Sequence, residues 1–391
     1  MRDTGAAVPY PQYDLAAWRR RIPLLRTMIP MNNCSQGPLT DATRAAAEAF
    51  LGSWDRMGMD WDAWVGEVEE ARRAFAALVG ASHDEIAVCS SVSQATSIIA
   101  SALDWSGDRN VVVPTEAEFP TVGHVWLAQE RRGARVVWVP AHDGVVRLED
   151  FDRVMDQRTL LVSACHGCYE SGFKQDVAAI ARKAHDAGAL VFIDAYQTLG
   201  TCPVDVKAMD ADFLVGGTLK YLMGTAGIAF LYVRSELIER LRPTVTGWFG
   251  RREPFAFRAK ELDWAATARR FDGGTPPVVN AYIARAGIGM IAEVGVERIA
   301  SWTEELSRRL IDGGQDRGLE LYGTSDARSK TPTTAFRCPG DSHAAELAMR
   351  ERGVLPSARG GVIRLAPHFY STLDDVDTAL DLLADVLAGS G

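Results

Sequence analysis

From Ile86 onward the chain alternates short, nearly continuous apolar runs with longer stretches whose apolar residues recur every three to four positions. The runs Ile86–Cys89, Asn110–Pro114, Arg135–Val139, Leu160–Ala164, Leu190–Asp194, Phe213–Gly216 and Ile228–Val233 read as strands. Between them, Ser93–Leu103, Phe119–Arg132 and Asp176–Ala187 carry the helical period. A strand that is apolar on both sides needs cover on both faces. The alternation therefore predicts an α/β fold built on a mostly parallel seven-stranded sheet with helices above and below. Ligands of such open sheets sit beyond the carboxyl ends of the strands, and the chemistry is expected there.

The pattern changes toward the C-terminus. Residues 236–275 are less regular and rich in arginine and aromatic side chains, among them Trp248, Phe249, Phe255 and Trp264. Helices from about Val279 to Glu293 and Val296 to Gln315 follow, then strands at Thr333–Arg337 and Gly361–Leu365 and helices at His343–Glu351 and Thr372–Ala388. This predicts a small α+β C-terminal domain. The expected division is an N-terminal arm (1–30), a large domain (31–278) and the small domain (279–391), a comfortable fit for 391 residues.

Composition narrows the function classes. A net charge of -9 would repel a nucleic acid. No apolar run is long enough to span a membrane. The opening MRDTGAAVPYPQYDLAAWRRR lacks the apolar core of a secretory signal, so a cytoplasmic protein is expected. Six cysteines at irregular spacing do not form a disulfide framework. The lone pair Cys165 and Cys168 has no second pair or histidines at ligand spacing, and reads as buried thiols rather than a metal site.

The strongest chemical signal is LVFIDAYQTLG, an apolar strand closed by Asp194, followed by ADFLVGGTLKYLMG, in which Lys220 succeeds a second such strand in a turn with Thr218. A charge at the end of an apolar strand is poorly explained by packing. A lysine and an aspartate facing one crevice are what pyridoxal 5′-phosphate (PLP) requires: the amine forms the Schiff base, and the carboxylate keeps the pyridine nitrogen protonated. A phosphate site is also available. The strand Ile86–Cys89 runs into SSVSQATS, where the amides of Ser91, Val92 and Ser93 open a helix and the Ser93 hydroxyl adds a donor.

With these residues in order, nearly the whole chain, from about Met31 to Ala388, resembles the class V aminotransferase-fold (fold type I) PLP enzymes, in the group of kynureninases, cysteine desulfurases and isopenicillin N epimerase-like proteins. TEAEFPT is similar to the segment whose aromatic residue, here Phe119, stacks on the pyridine. IDAYQ resembles the element that places Asp194 on the ring nitrogen and Gln197 near the phenolic oxygen, and GGTLKYL resembles the lysine motif. In FDGGTPP the resemblance implies that Gly274 and Thr275 reach the phosphate in a neighbouring subunit, hence a homodimer. GWFG, with Trp248 at the cofactor, is closest to kynureninase. VIRLAPHFY is similar to the element whose arginine, Arg364, grips the substrate carboxylate, a natural bidentate pair. By the same resemblance Tyr169 lies near a cofactor oxygen, and Asn33, Cys34 and His368 line the substrate pocket.

The resemblance implies an enzyme that removes the Cα proton of a small amino acid, with Lys220 as base. Persulfide-forming desulfurases carry a nucleophilic cysteine on the loop before the carboxylate-binding arginine, and GVLPSARGGVIRL has none. Leu219 stands where kynureninases have a tyrosine. The expected reaction is therefore lysis of a Cβ–S or similar Cβ bond, as in cysteine/cystine C–S lyases. Transamination or epimerisation is the alternative, and kynureninase-like carbon–carbon chemistry a further one. Arg251, Arg252 and Arg359, near the mouth, could admit an acidic or otherwise anionic substrate, but read first as ordinary surface charge.

Overall fold

The computed structural model describes residues 11–389. The apolar runs form one seven-stranded sheet: β1 Ile86–Cys89, β2 Val111–Pro114, β3 Arg135–Val136, β4 Thr159–Cys165, β5 Leu190–Asp194, β6 Phe213–Gly217 and β7 Ala229–Val233. The spatial order is β1-β7-β6-β5-β4-β2-β3. Only β7 runs against its neighbours, β1 and β6, so the sheet is mostly parallel as its burial pattern demands. The third strand is shorter than its apolar run, which continues only through an isolated bridge from Thr115 to Val139.

Alternation along β5 shows why both faces had to be apolar. Val191 and Ile193 enter one core with Phe75 and Phe230, while Phe192 enters the other with Ile98, Trp126 and Phe213. A strand with side chains in two separate cores is held in register from both sides. Its last residue, Asp194, is paired with Cys165 of β4 and Val215 of β6. The carboxyl ends of three parallel strands thus form one ledge.

A second sheet, wholly antiparallel, contains β8 Leu321–Tyr322, β9 Thr334–Arg337, β10 Ser357–Arg359 and β11 Val362–Leu365 in the order β10-β11-β9-β8. It packs with the helices Val296–Asp316 and Leu373–Ala388 around Leu306, Phe336 and Leu380.

The break in packing does not fall at 278/279. The helix Val278–Val294 buries Ala281, Ala284, Ile288 and Ile291 in the core of the large sheet, against the helices Asp41–Met57 and Trp61–Leu78, which the strand and helix assignments from sequence had not reached. The packing changes at Gly295, whose φ of 93° ends the helix. Nor is 1–30 a detached arm. Residues 1–10, the start of the segment read above as lacking a secretory signal's apolar core, lie outside the described residues, but Trp18 and Ile22 are in the large core, and Ile29–Pro30 pairs with Val354–Leu355. Among the described residues no helix is long and apolar enough to cross a membrane.

One buried ion pair anchors the strand that leads into the serine-rich turn. Asp272 meets Arg72 at 2.8 Å, both almost fully buried. It also accepts the Val88 amide at 2.8 Å, while Arg72 donates to the Ile86 carbonyl at 2.5 Å. Without Asp272 the buried Arg72 keeps only the partly exposed Glu69 as counter-ion, so Asp272→Ala should cost about 3 kcal/mol, the low end for breaking a buried pair, measured as the change in urea midpoint at constant slope.

Candidate active site

Beyond the ledge of β4, β5 and β6 lies a cavity of about 340 Å³. Asp194 forms part of its wall, and its Oδ1 accepts the Tyr196 amide at 2.8 Å, a turn that swings the Tyr196 ring under the Lys220 ammonium, 4.2 Å from Nζ. The Tyr196 hydroxyl lies against Gly217, where any Cβ would collide with it. A second glycine matters in the same way. A Cβ on Gly37 would come within 2.5 Å of the Lys220 carbonyl, and the Gly37 amide donates to Leu219 O at 2.8 Å. The segment Cys34–Gly37 is thereby laid on the lysine turn, which brings Cys34 to the cavity wall.

The charges in this space are poorly neutralised. Loss of hydration pulls the Lys220 amine down to about 8, with Asp194 opposing the shift. Burial also raises the Asp194 carboxyl, against the Tyr196 amide and the Lys220 charge, which favour its ionised form. Beside it lies a residue the sequence analysis passed over. Glu118 is buried and accepts from Ser163 at 2.9 Å, and its other oxygen has no partner. Burial first, then the neighbouring Asp194, push its carboxyl well above the usual carboxylate range, against the Ser163 hydrogen bond. Its signal was present in TEAEFPT, but nothing in that string says that the side chain turns inward.

On the opposite side the helix Val92–Ala102 begins. Ser91 caps it by accepting the Gln94 amide at 3.1 Å, Ser93 pairs with Thr121 at 2.6 Å, and the amides of Val92 and Ser93 have no acceptor among the described residues. Phe119, 41% exposed, stands edge-to-face with Tyr169 at 5.2 Å. Gln197 donates to Cys34 O at 3.1 Å, while its buried Oε1 is unpartnered. Arg364 reaches in from β11, buried, with neutral acceptors only: Tyr169 O at 2.5 Å, Ser35 Oγ at 2.9 Å, Ser357 Oγ at 2.6 Å and Ser357 O at 3.4 Å.

Ten of the residues singled out from sequence therefore meet at one cavity: Cys34, Ser91, Val92, Ser93, Phe119, Tyr169, Asp194, Gln197, Lys220 and Arg364. Cys165, Leu219 and Arg359 line it as well, and the remaining ones do not. His368 bonds the Tyr221 carbonyl at 2.8 Å, and burial takes its ring down to about 4, so it stays neutral inside the core. Asn33 is spent on Ala366 O at 2.7 Å and the Tyr370 hydroxyl at 2.6 Å. Thr218 donates to Thr225 O at 3.2 Å. Trp248 packs with Trp61, Phe249 and Phe255 beside a separate groove. Gly274 and Thr275 are exposed. Cys165 and Cys168 are free, buried thiols whose dehydration raises both well above or above the ordinary thiol range.

A family model described as aminotransferase class-V matches residues 55–377. The chain belongs to that family. It is 36% identical to an uncharacterized aminotransferase of Bacillus subtilis, covering 94% of this chain and 96% of that one. It is 30% identical to a probable cysteine desulfurase of Methanothermobacter thermautotrophicus, over 95% and 98%. Its fold is similar to that of a cystine C–S lyase solved with its product cysteine persulfide, with a TM-score of 0.85, 19% identity and coverage of 93% and 99%. The class V chain is a PLP-dependent enzyme, and the cavity fits that cofactor. Among the described residues, an amine without a hydrogen-bond partner, a carboxylate with one amide and free amides at a helix start line a single space.

Since the neutral amine is the form that captures an aldehyde, PLP uptake by the apoprotein should accelerate as pH rises through about 8. Removing the neighbouring negative charge removes support for the ammonium, so Asp194→Asn should move that midpoint to lower pH. Stopped-flow absorbance of cofactor capture across pH reads both.

Proposed function

We propose that the chain is a C–S lyase acting on a cysteine- or cystine-like amino acid. Two likenesses support a reaction at carbon–sulfur bonds, the probable cysteine desulfurase at 30% identity and the cystine C–S lyase fold. The observation that carries the choice of lysis over persulfide transfer is the turn between β10 and β11. It is only Gly360–Gly361, tight and without a thiol, just where the desulfurases it resembles keep their nucleophilic cysteine. Cys338 lies outside the cavity, its thiol turned to Gly340 O at 3.8 Å.

In this reading the amides of Val92 and Ser93 and the Ser93 hydroxyl bind the phosphate of PLP, and Phe119 covers the ring. Asp194 holds a proton on the pyridine nitrogen and Gln197 offers its amide to the ring oxygen. Bound PLP supplies the electron sink that lets a Cα–H bond break heterolytically. Arg364 orients the substrate by its carboxylate, and Lys220 Nζ, pre-set near neutrality by dehydration, takes the Cα proton. The electron pair left at Cα expels sulfur from Cβ, and the sulfur departs with the bonding pair. Hydrolysis then yields pyruvate and ammonia.

The reading includes a homodimer, in which the exposed Gly274 and Thr275 would complete the phosphate site of the second copy. All six cysteines are unpaired and buried, which suits a cytoplasmic setting.

With L-cystine and no keto-acid acceptor, the holoenzyme should release pyruvate and ammonia, and Lys220→Ala should slow this about 10³-fold. Arg364→Leu should raise KM about 10–100-fold with a smaller change in kcat, the loss of a charged hydrogen-bonded contact. Turnover that requires a keto-acid acceptor would instead identify a transaminase.

A further inference from the structure

Arg359, which reads from sequence as surface charge, lines the same cavity as Arg364. The register explains how. Arg364 of β11 lies directly opposite Ser357 of β10, and directly opposed residues share a face. Ser357 and Arg359 are two apart on one strand and share that face as well. The 2.6 Å bond from the Arg364 guanidinium to Ser357 Oγ confirms it for that pair. The two arginines are therefore diagonal neighbours on one face, with backbones about 7–8 Å apart.

Neither guanidinium has an ion-pair partner among the described residues. Arg364 is met by two carbonyls and two hydroxyls, and Arg359 by the Ala358 carbonyl at 2.7 Å. Glu170 is near, since a Cβ on Gly360 would meet its Oε1 at 3.0 Å, but its other oxygen accepts from the Tyr322 hydroxyl at 3.2 Å. Both arginines bear on the same groups, each opposing the charge of Lys220 and favouring the ionised Tyr169. With Lys220 counted, three basic side chains face the cavity against one carboxyl group, that of Asp194, on its wall. One substrate carboxylate satisfies Arg364. Arg359 remains for a second anion.

We propose that the substrate is a dianionic amino acid, with its α-carboxylate on Arg364 and a second carboxylate, or a group of like charge and shape, in its side chain on Arg359. The proposal rests on the α-carboxylate role given to Arg364 above. For the carbon–sulfur reading it places the second anion on the sulfur substituent, beyond the bond that breaks.

The test uses ligands that cannot react. Calorimetry on the holoenzyme compares succinate and glutarate with their monoamides, which keep the shape and lose one charge. The wild type should bind each dicarboxylate about tenfold or more tightly than its monoamide. Arg359→Gln should bring the two within about twofold, and Arg359→Lys should restore most of the preference. Arg359 is exposed on an edge strand, so these variants keep the fold, and Arg252→Gln serves as an exposed control outside the cavity. A wild type without preference, or a preference that survives Arg359→Gln, overturns the proposal. Because no bond is broken, that outcome is separate from the cystine assay, whose failure would instead remove the lyase reading.

Discussion

Asp194 is a carboxylate enclosed at the end of an apolar strand, met within the chain by one backbone amide and by the charge of Lys220. Burying a charge is costly unless it is paired, and much of the local architecture reads as a response to that cost. The Tyr196 turn supplies the amide, and the same turn sets an aromatic face beneath the Lys220 ammonium, a favourable place for a cation. Burial, and then the charge of Asp194, push the carboxyl of Glu118 upward. Glu118 stands with Ser163 and Trp126 in a bonded chain.

The two sheets meet through this site rather than through a broad apolar contact alone. Arg364 projects from β11 and donates to Tyr169 O, just beyond β4, and to Ser35 in the segment that lies on the lysine turn. Three stretches far apart in sequence are pinned by one guanidinium. Since each acceptor is neutral, the pinning orients the side chain without consuming its charge, which stays available to an anion.

Relatives of this chain carry names for several chemistries, among them an aminotransferase, cysteine desulfurases and kynureninases. The part of the cavity wall that carries Arg359 and Arg364 is built from β10, a glycine turn and β11, and the turn holds no cysteine.

Hydrophobic period alone determined the sheet, its seven strands and the two-faced cover, because burial of a strand leaves its mark on every residue of that strand. It also put Asp194 and Lys220 at strand ends, where a charge in an apolar run can only mean an edge. Periodicity records that a residue is covered, however, and not by what. The helix Val278–Val294 looks the same whichever core it enters, and only packing against Asp41–Met57 and Trp61–Leu78 assigned it to the large sheet. His368 and Asn33 sit close in sequence to residues of the cavity, yet their hydrogen bonds turn them into the core. Arg359 went the other way, from apparent surface charge to cavity wall, because the pairing of β10 with β11 decides which face it shares with Arg364. Strand register and side-chain direction are long-range facts, set by contacts between segments that no local pattern encodes.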